Sequence, residues 1–303
     1  MVIGPSLGAG AGRYCSICLA IVFAVTTGVA VGATEPVFYL NADRYSLNFT
    51  GTPVTRNGHS PYYWRQHFDN SRHGYLAYIY DNGDPFTTMP VAGKCGPPAG
   101  GEALHFDGAR SFGEVSIPRW LPLAGGNLAL TVSAWVYVDE VRPGYQAIVA
   151  RDKNIWWYRY GEKPNPNNYG FFLGLENGYP RFSVTTVGGI APLPPASQPP
   201  STKIPTGRWV HLTGVYRGAS YSNPPVGVAP PGRVELYRDG VLIYSVPHNF
   251  YLFYSSQPIA LGASLIDPAT DSWGEFFPGK IDEVKVFDVG LNASQVRQLQ
   301  TCG

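Results

Sequence analysis

The chain has 303 residues, of which 44% are hydrophobic, 14% aromatic and 14% charged, with 22 basic residues against 21 acidic. Twenty Tyr, fifteen Phe and seven Trp can build a sizeable core, which excludes general disorder. The near-zero net charge, with no run of Lys or Arg, excludes the basic footprint of a nucleic-acid binder.

Arg13 precedes an uncharged stretch from Cys15 to Ala33 with an apolar centre at Leu19–Val25, and Val31-Gly32-Ala33 closes it with small residues. A basic start, an apolar middle and a small-residue end predict a secretory signal peptide over residues 1–33. An uncleaved anchor is the alternative, since about 20 uncharged residues could span a bilayer. Either way the remainder is expected outside the cytoplasm, secreted or held at the cell surface, with no second membrane span. Cleavage after Ala33 leaves Cys95 and Cys302 as the only thiols. Sequons stand at Asn48-Phe49-Thr50 and Asn292-Ala293-Ser294, so Asn48 and Asn292 are candidate glycosylation sites.

Residues 34–60 form an N-terminal extension with no assignable element. From 61 to 303 the sequence reads as one domain of short strands separated by Gly, Pro and Asn. Candidate strands, in order, are Tyr62–Phe68, Glu102–Phe106, Gly113–Ile117, Leu130–Val138, Ala147–Arg151, Gly170–Glu176, Arg181–Thr186, Trp209–Tyr216, Arg233–Arg238, Val241–Val246, Ile259–Gly262 and Lys280–Phe287. The clearest runs from Leu130, where Leu130, Val132, Ala134, Val136 and Val138 alternate with Thr131, Ser133, Trp135 and Tyr137. Asp239-Gly240 predicts a type I′ hairpin that sets Arg238 opposite Val241 and Leu236 opposite Ile243. One helix is predicted at the C-terminus, capped by Asn292 with Gln295 three residues on, and Leu291, Val296 and Leu299 face the body. The sum is an all-β protein, an antiparallel jelly-roll β-sandwich with one short C-terminal helix. Proline-rich loops at Gly188–Pro205 and Arg217–Gly232 read as stiff surface excursions.

A family resemblance rests on an ordered set of segments. Ala103-Leu104-His105-Phe106-Asp107-Gly108 comes first, then Leu130-Thr131-Val132-Ser133-Ala134-Trp135-Val136. Gly207-Arg208-Trp209-Val210-His211-Leu212-Thr213 and Val234-Glu235-Leu236-Tyr237-Arg238-Asp239-Gly240 follow. Pro278-Gly279-Lys280-Ile281-Asp282-Glu283-Val284-Lys285-Val286-Phe287 and the final helix close the set. In this order, over about 200 residues, they resemble the laminin G-like jelly roll of the concanavalin A-like lectin/glucanase superfamily. The resemblance implies two packed antiparallel sheets, with early and final strands near each other. It therefore implies that Cys95 and Cys302 can meet in a disulfide; intermolecular pairing or two free thiols are the alternatives. Relatives often hold calcium at one rim of the sandwich.

Superfamily glucanases carry paired acids along one strand, and no such run is found; Asp282 and Glu283 are adjacent and on a regular strand point to opposite faces. Asp282 is expected on the face of Val284 and Val286, hence buried and in need of a partner. Calcium is one candidate, with Asp107 as second ligand; the alternative is that Asp282 accepts backbone N–H bonds and Asp107 shapes its turn. Trp156, Trp157, Tyr158 and Tyr160 crowd the Ile155–Tyr169 loop and Trp273 sits in another, so these rings are the expected ligand-binding residues or else cover the sandwich edge. Trp135 and Trp209, within strands, are expected in the core, and His211 as a packing residue. The expectation is a secreted, non-catalytic recognition module for a glycan or an extracellular protein. A glycan-active hydrolase with acids from separate strands and a structural matrix component are the alternatives.

Overall fold

The computed structural model describes residues 35–42, 45–46, 54–56, 59–71, 73–81, 91–95, 101–116, 129–152, 169–186, 189–190, 200–218, 232–248, 257–267 and 270–302. The chain divides into two units, Met1–Ala33 and Thr34–Gly303, and the described residues all belong to the second. Among them no helix is long and apolar enough to cross a membrane.

In chain order the strands are β1 (Phe38–Leu40), β2 (Tyr45–Ser46), β3 (Val54–Arg56), β4 (His59–Phe68), β5 (Leu76–Asp81), β6 (Val91–Ala92), β7 (Glu102–Asp107) and β8 (Phe112–Ser116). Then come β9 (Ala129–Val138), β10 (Tyr145–Asp152), β11 (Tyr169–Glu176), β12 (Tyr179–Thr186), β13 (Gly189–Ile190), β14 (Trp209–Arg217), β15 (Arg233–Arg238) and β16 (Val241–Pro247). The last are β17 (Ile259–Leu261), β18 (Ser264–Asp267), β19 (Ser272–Gly274) and β20 (Pro278–Phe287), followed by helix α1 (Ala293–Gln298). The first sheet has the order β16-β15-β14-β9-β20-β7-β6, with β1 also on β20. The second has the order β13-β12-β11-β10-β17-β8-β5-β4-β2, with β3 on β4, and β18–β19 form a separate ribbon. Every strand pairing that builds these sheets is antiparallel, as expected of a jelly-roll sandwich.

The alternation that predicts β9 also sets its faces. Leu130, Val132, Ala134, Val136 and Val138 enter the core between the sheets, where they meet Phe171, Leu173, Phe182 and Val184 of the second sheet. The fit is tight at Gly214 of β14: a Cβ there would lie 2.1 Å from the Phe182 ring, so only glycine lets the sheets approach. Residues 34–60, unassigned from sequence, contribute β1, whose Phe38 and Leu40 are buried in this core opposite Val286 and Val284.

The β15–β16 turn has Asp239 at φ 49° and Gly240 at φ 66°, as a type I′ turn requires. Arg238 pairs with Val241 as expected. Leu236 pairs with Tyr244 rather than Ile243, because a bulge adds one residue to β16. The C-terminal helix carries the predicted capping box: Asn292 Oδ1 accepts the Ser294 and Gln295 N–H groups, and the Gln295 side chain accepts the Asn292 N–H. Leu291 and Val296 pack on Val215, Tyr237 and Phe287, outside the first sheet.

Candidate functional site

Each sheet has an outer face, and the two are covered to different extents. On the second sheet, register places Gln66, Tyr78, Glu114, Ala260, Ala150, Phe172 and Ser183 in one row across seven strands. The β18–β19 ribbon lies over the middle of this face. Trp273 stacks on Phe112 at 4.0 Å, Phe112 stacks on Tyr80 at 4.8 Å, and Leu265 joins them in a small apolar cluster. Trp273 is therefore buried rather than an exposed loop ring, and its indole N–H is held by Asp271 at 2.9 Å. Glu114 is the one carboxylate in the row, whereas hydrolysis of a glycosidic bond needs a pair.

On the first sheet the chain covers itself. Helix α1 spans one part of the outer face. Beyond it the tail passes the β15–β16 turn, where a Cβ on Gly240 would meet Gln300, and ends in the Cys95–Cys302 disulfide across a separation of 207 residues. Under this cover lie Trp135, His211, Asp282 and Glu283, each less than 8% exposed. Here the strand parity expected from sequence fails. In β20, Asp282 pairs with Trp135 and Lys285 with Ser133, so Glu283 and Val284 together oppose Ala134. Glu283 adopts φ 52° to make this bulge. Asp282 and Glu283 consequently share the outer face, and Asp282 stands on the face opposite the core residues Val284 and Val286. It is buried under the Lys94–Cys95 segment, which the disulfide ties to the tail, and not inside the sandwich.

Both acids are fully engaged there. Asp282 accepts the backbone N–H groups of Lys94, Cys95 and Glu283 at 2.8, 3.2 and 2.8 Å. Glu283 accepts the Tyr39 hydroxyl at 2.8 Å and pairs with Lys285 at 2.8 Å. Burial and the Glu283 charge push the Asp282 carboxyl up to about 7 against the pull of its N–H donors. Burial and Glu283 likewise raise the Tyr39 phenol. His211, the expected packing residue, lies 5.1 Å from the Trp135 ring, and burial with the Lys285 charge brings it down to about 3. This cluster ties β1, the 94–95 segment and β20 together.

One row of the first sheet escapes the cover. His105, Lys280, Tyr137 and Trp209 lie side by side on β7, β20, β9 and β14. All four are half-buried, so Trp209 is not the core residue its strand position suggests. The Tyr137 and Trp209 rings meet edge-to-face at 5.7 Å, and Lys280 Nζ sits 4.3 Å from the Tyr137 ring centre. His105 Nε2 contacts Asp139 at 2.9 Å. Lys94 is exposed beside the row, with its Nζ 5.0 Å from the Trp135 ring. At about 4.8 Å between strands, the row is about 14 Å long. An edge-to-face ring pair with a lysine against it offers a ligand an aromatic surface and a cation side by side.

Trp156, Trp157, Tyr158 and Tyr160 lie outside the described residues, between Asp152 of β10 and Tyr169 of β11, as does Asn48. Asn292 is exposed at the helix cap. Asp107 shapes its turn: its Oδ1 accepts the N–H groups of Ala109, Arg110 and Ser111 and the Ser111 hydroxyl. Burial would raise this carboxyl, but those hydrogen bonds outweigh it and hold it below the usual range. Asp107 faces Pro278, four residues from Asp282 along β20 and hence about 13 Å away, so the two carboxylates are not brought together. Among the described residues no group of three His, Cys, Asp or Glu side chains is placed to hold a metal. The Tyr137–Trp209 row was not among the expected sites. Its signal was the Tyr137 and Trp135 side of the β9 alternation, opposite the apolar face.

Two closely packed antiparallel sheets closed by a C-terminal helix define a jelly-roll β-sandwich. The chain belongs to the laminin G family of the concanavalin A-like lectin/glucanases superfamily, whose profile matches residues 108–297. No curated protein matches the sequence. Among solved structures, domain 4 of a GH43 extracellular arabinanase from Geobacillus stearothermophilus, in complex with arabinotriose, is similar with a TM-score of 0.49 and 19% identity over 89% of this chain and 100% of that one. The receptor binding domain of botulinum neurotoxin mosaic serotype C/D is similar with a TM-score of 0.51 and 11% identity, over 88% of this chain and 50% of that one. This chain thus spans about half the length of the neurotoxin domain, and at such identity the likeness is one of fold.

Proposed function

We propose that this protein is an exported, non-catalytic recognition module that binds a glycan or an extracellular protein through the His105–Lys280–Tyr137–Trp209 row. The observation that carries the reading is the half-exposure of Trp209 and Tyr137 beside Trp135, His211, Asp282 and Glu283, which are buried on the same face of the sheet. An aromatic pair left open where its neighbours are sealed has the character of a binding hot spot. The absence of a carboxylate pair along the Glu114 row and the full engagement of Asp282 and Glu283 favour binding over hydrolysis. Export is supported by the Cys15–Ala33 segment and by an intramolecular disulfide, which persists in oxidising compartments. The Trp156–Tyr160 loop is proposed as a second contact region.

A glycan array probed in parallel with wild type and Trp209→Ala tests the reading. Loss of the wild-type signals, with an unchanged melting temperature, supports it. Signals that persist in the variant, or turnover of polysaccharide substrates by the wild type, overturn it.

A further inference from the structure

We infer that Asn292 carries an N-linked glycan, and that the same side chain caps the C-terminal helix while bearing it. This goes beyond the recognition reading and rests only on the proposed export. The sequon Asn292-Ala293-Ser294 has alanine, not proline, at its middle position, and Asn292 and Ser294 are both exposed. Asn292 has extended backbone, φ −77° and ψ 169°, so the attachment residue precedes the first helical turn rather than lying within it.

The two tasks fall on different atoms of one carboxamide. The cap runs through oxygen: Oδ1 accepts the Ser294 N–H at 2.9 Å and the Gln295 N–H at 3.0 Å. The Asn292 backbone N–H donates to the Gln295 side chain at 2.9 Å, so that half of the capping box does not use the carboxamide. Attachment runs through nitrogen. A bond forms from Nδ2 to the anomeric carbon of an oligosaccharide carried on a lipid pyrophosphate, and the bond from that carbon to the phosphate oxygen breaks. Nδ2 gives up one proton, and the lipid pyrophosphate leaves with the electron pair. The product is still a carboxamide, and its oxygen still accepts hydrogen bonds. The cap takes only the backbone N–H of Ser294, so the hydroxyl that completes the sequon is left out of it.

The location is equally informative. The Leu291 N–H donates to Thr131 Oγ1 at 3.0 Å, which fixes the helix start beside one end of β9. Thr131 and Tyr137 lie six residues apart on that strand, or about 20 Å. A glycan on Asn292 thus leaves the Tyr137–Trp209 row open, and it marks the opposite end of the first sheet as the end turned away from a bound partner.

The test expresses the full chain in a eukaryotic secretory host and follows the tryptic peptide 286–297, which contains the sequon, by mass spectrometry before and after enzymatic removal of N-glycans. Wild type should yield this peptide as a glycopeptide, and Ser294→Ala should yield it unmodified. The two proteins should melt together, whereas Asn292→Ala, which loses the cap as well as the glycan, should melt lower than both. Hydroxyl-radical labelling of Trp209 and Tyr137 should be the same in wild type and in Ser294→Ala. Secreted wild type with an unmodified peptide overturns the inference and leaves export and recognition standing. Protein retained in the cytosol with an unmodified peptide overturns export with it. A glycosylated wild type that melts as low as Asn292→Ala shows that the cap does not survive attachment. A rise in Trp209 and Tyr137 labelling in Ser294→Ala would put the glycan over the row and overturn its placement.

Discussion

Two buried groups on the outer face of the first sheet should give stability opposite dependences on pH. Asp282 titrates at 3.8 when unfolded and at about 7 in the native protein. Between those values the native state holds a proton that the unfolded state has lost, so this group lowers stability as pH rises. His211 titrates at 6.5 when unfolded and at about 3 when folded. Between those values the unfolded state holds the extra proton, so this group raises stability as pH rises. Each difference of one proton is worth ~1.4 kcal/mol per pH unit. From about pH 4 to 6.5 the two slopes oppose and largely cancel. Replacing Asp282 by Asn removes the falling slope, so relative to wild type the variant should gain stability with pH through that window. The accumulated gain is up to about 4 kcal/mol by pH 7. His211→Asn should do the reverse. Urea denaturation followed by tryptophan fluorescence at half-unit steps from pH 3.5 to 7.5 reads both differences. If the two variants differ from wild type by a constant offset at every pH, the assignment of opposed buried titrations is wrong.

Other consequences concern the frame. A tryptic digest without reductant should contain a Cys95–Cys302 peptide pair from the monomer. Cys302→Ser should cost up to about 5 kcal/mol for the 207-residue loop, and a variant that melts with wild type would remove the bridge from the stabilising account. Gly214→Ala forces a Cβ against Phe182 and should cost ~1–3 kcal/mol by overpacking, read as a lowered melting temperature. Asn292→Ala removes the cap's two N–H contacts and should cost ~1 kcal/mol, whereas Asn292→Asp should not. With Asp282 and Asp107 both supplied by backbone donors, added chelator should leave the melting curve unchanged; a clear fall would point to a bound cation.

The sandwich was legible because its signals are local. The β9 alternation, the Asp239-Gly240 turn and the Asn292–Gln295 box each fix structure within a few residues, and the thiol pair needed only the family's strand order. What stayed hidden depends on contacts distant in sequence. β1 is three residues long and becomes a strand only by pairing with Val284–Val286 near the other end of the chain. β5 places Ala77 and Ile79 in the core and Tyr80 in the cluster under β18–β19, so both faces are apolar and the alternation is masked. The Glu283 bulge inverted the parity on which the placement of Asp282 rested, since one added residue moves a side chain to the other face. Trp135 and Trp209 look alike in sequence, yet Trp135 is buried beneath Lys94 and beside His211 while Trp209 is left half-buried. The fold thus followed from pattern, whereas the site followed from which part of a sheet face the chain leaves uncovered.

Hydroxyl-radical footprinting with and without a bound glycan tests the central claim most directly, because it reads the solvent exposure of individual side chains. Oxidation of Trp209 and Tyr137 should be substantial in the free protein and fall when ligand binds. Trp135 and Trp273, 7% and 4% exposed, should react little in either state. Unchanged labelling of Trp209 and Tyr137, with protection appearing instead at Tyr78 on the second sheet or at Trp156 and Trp157, would contradict the placement of the site.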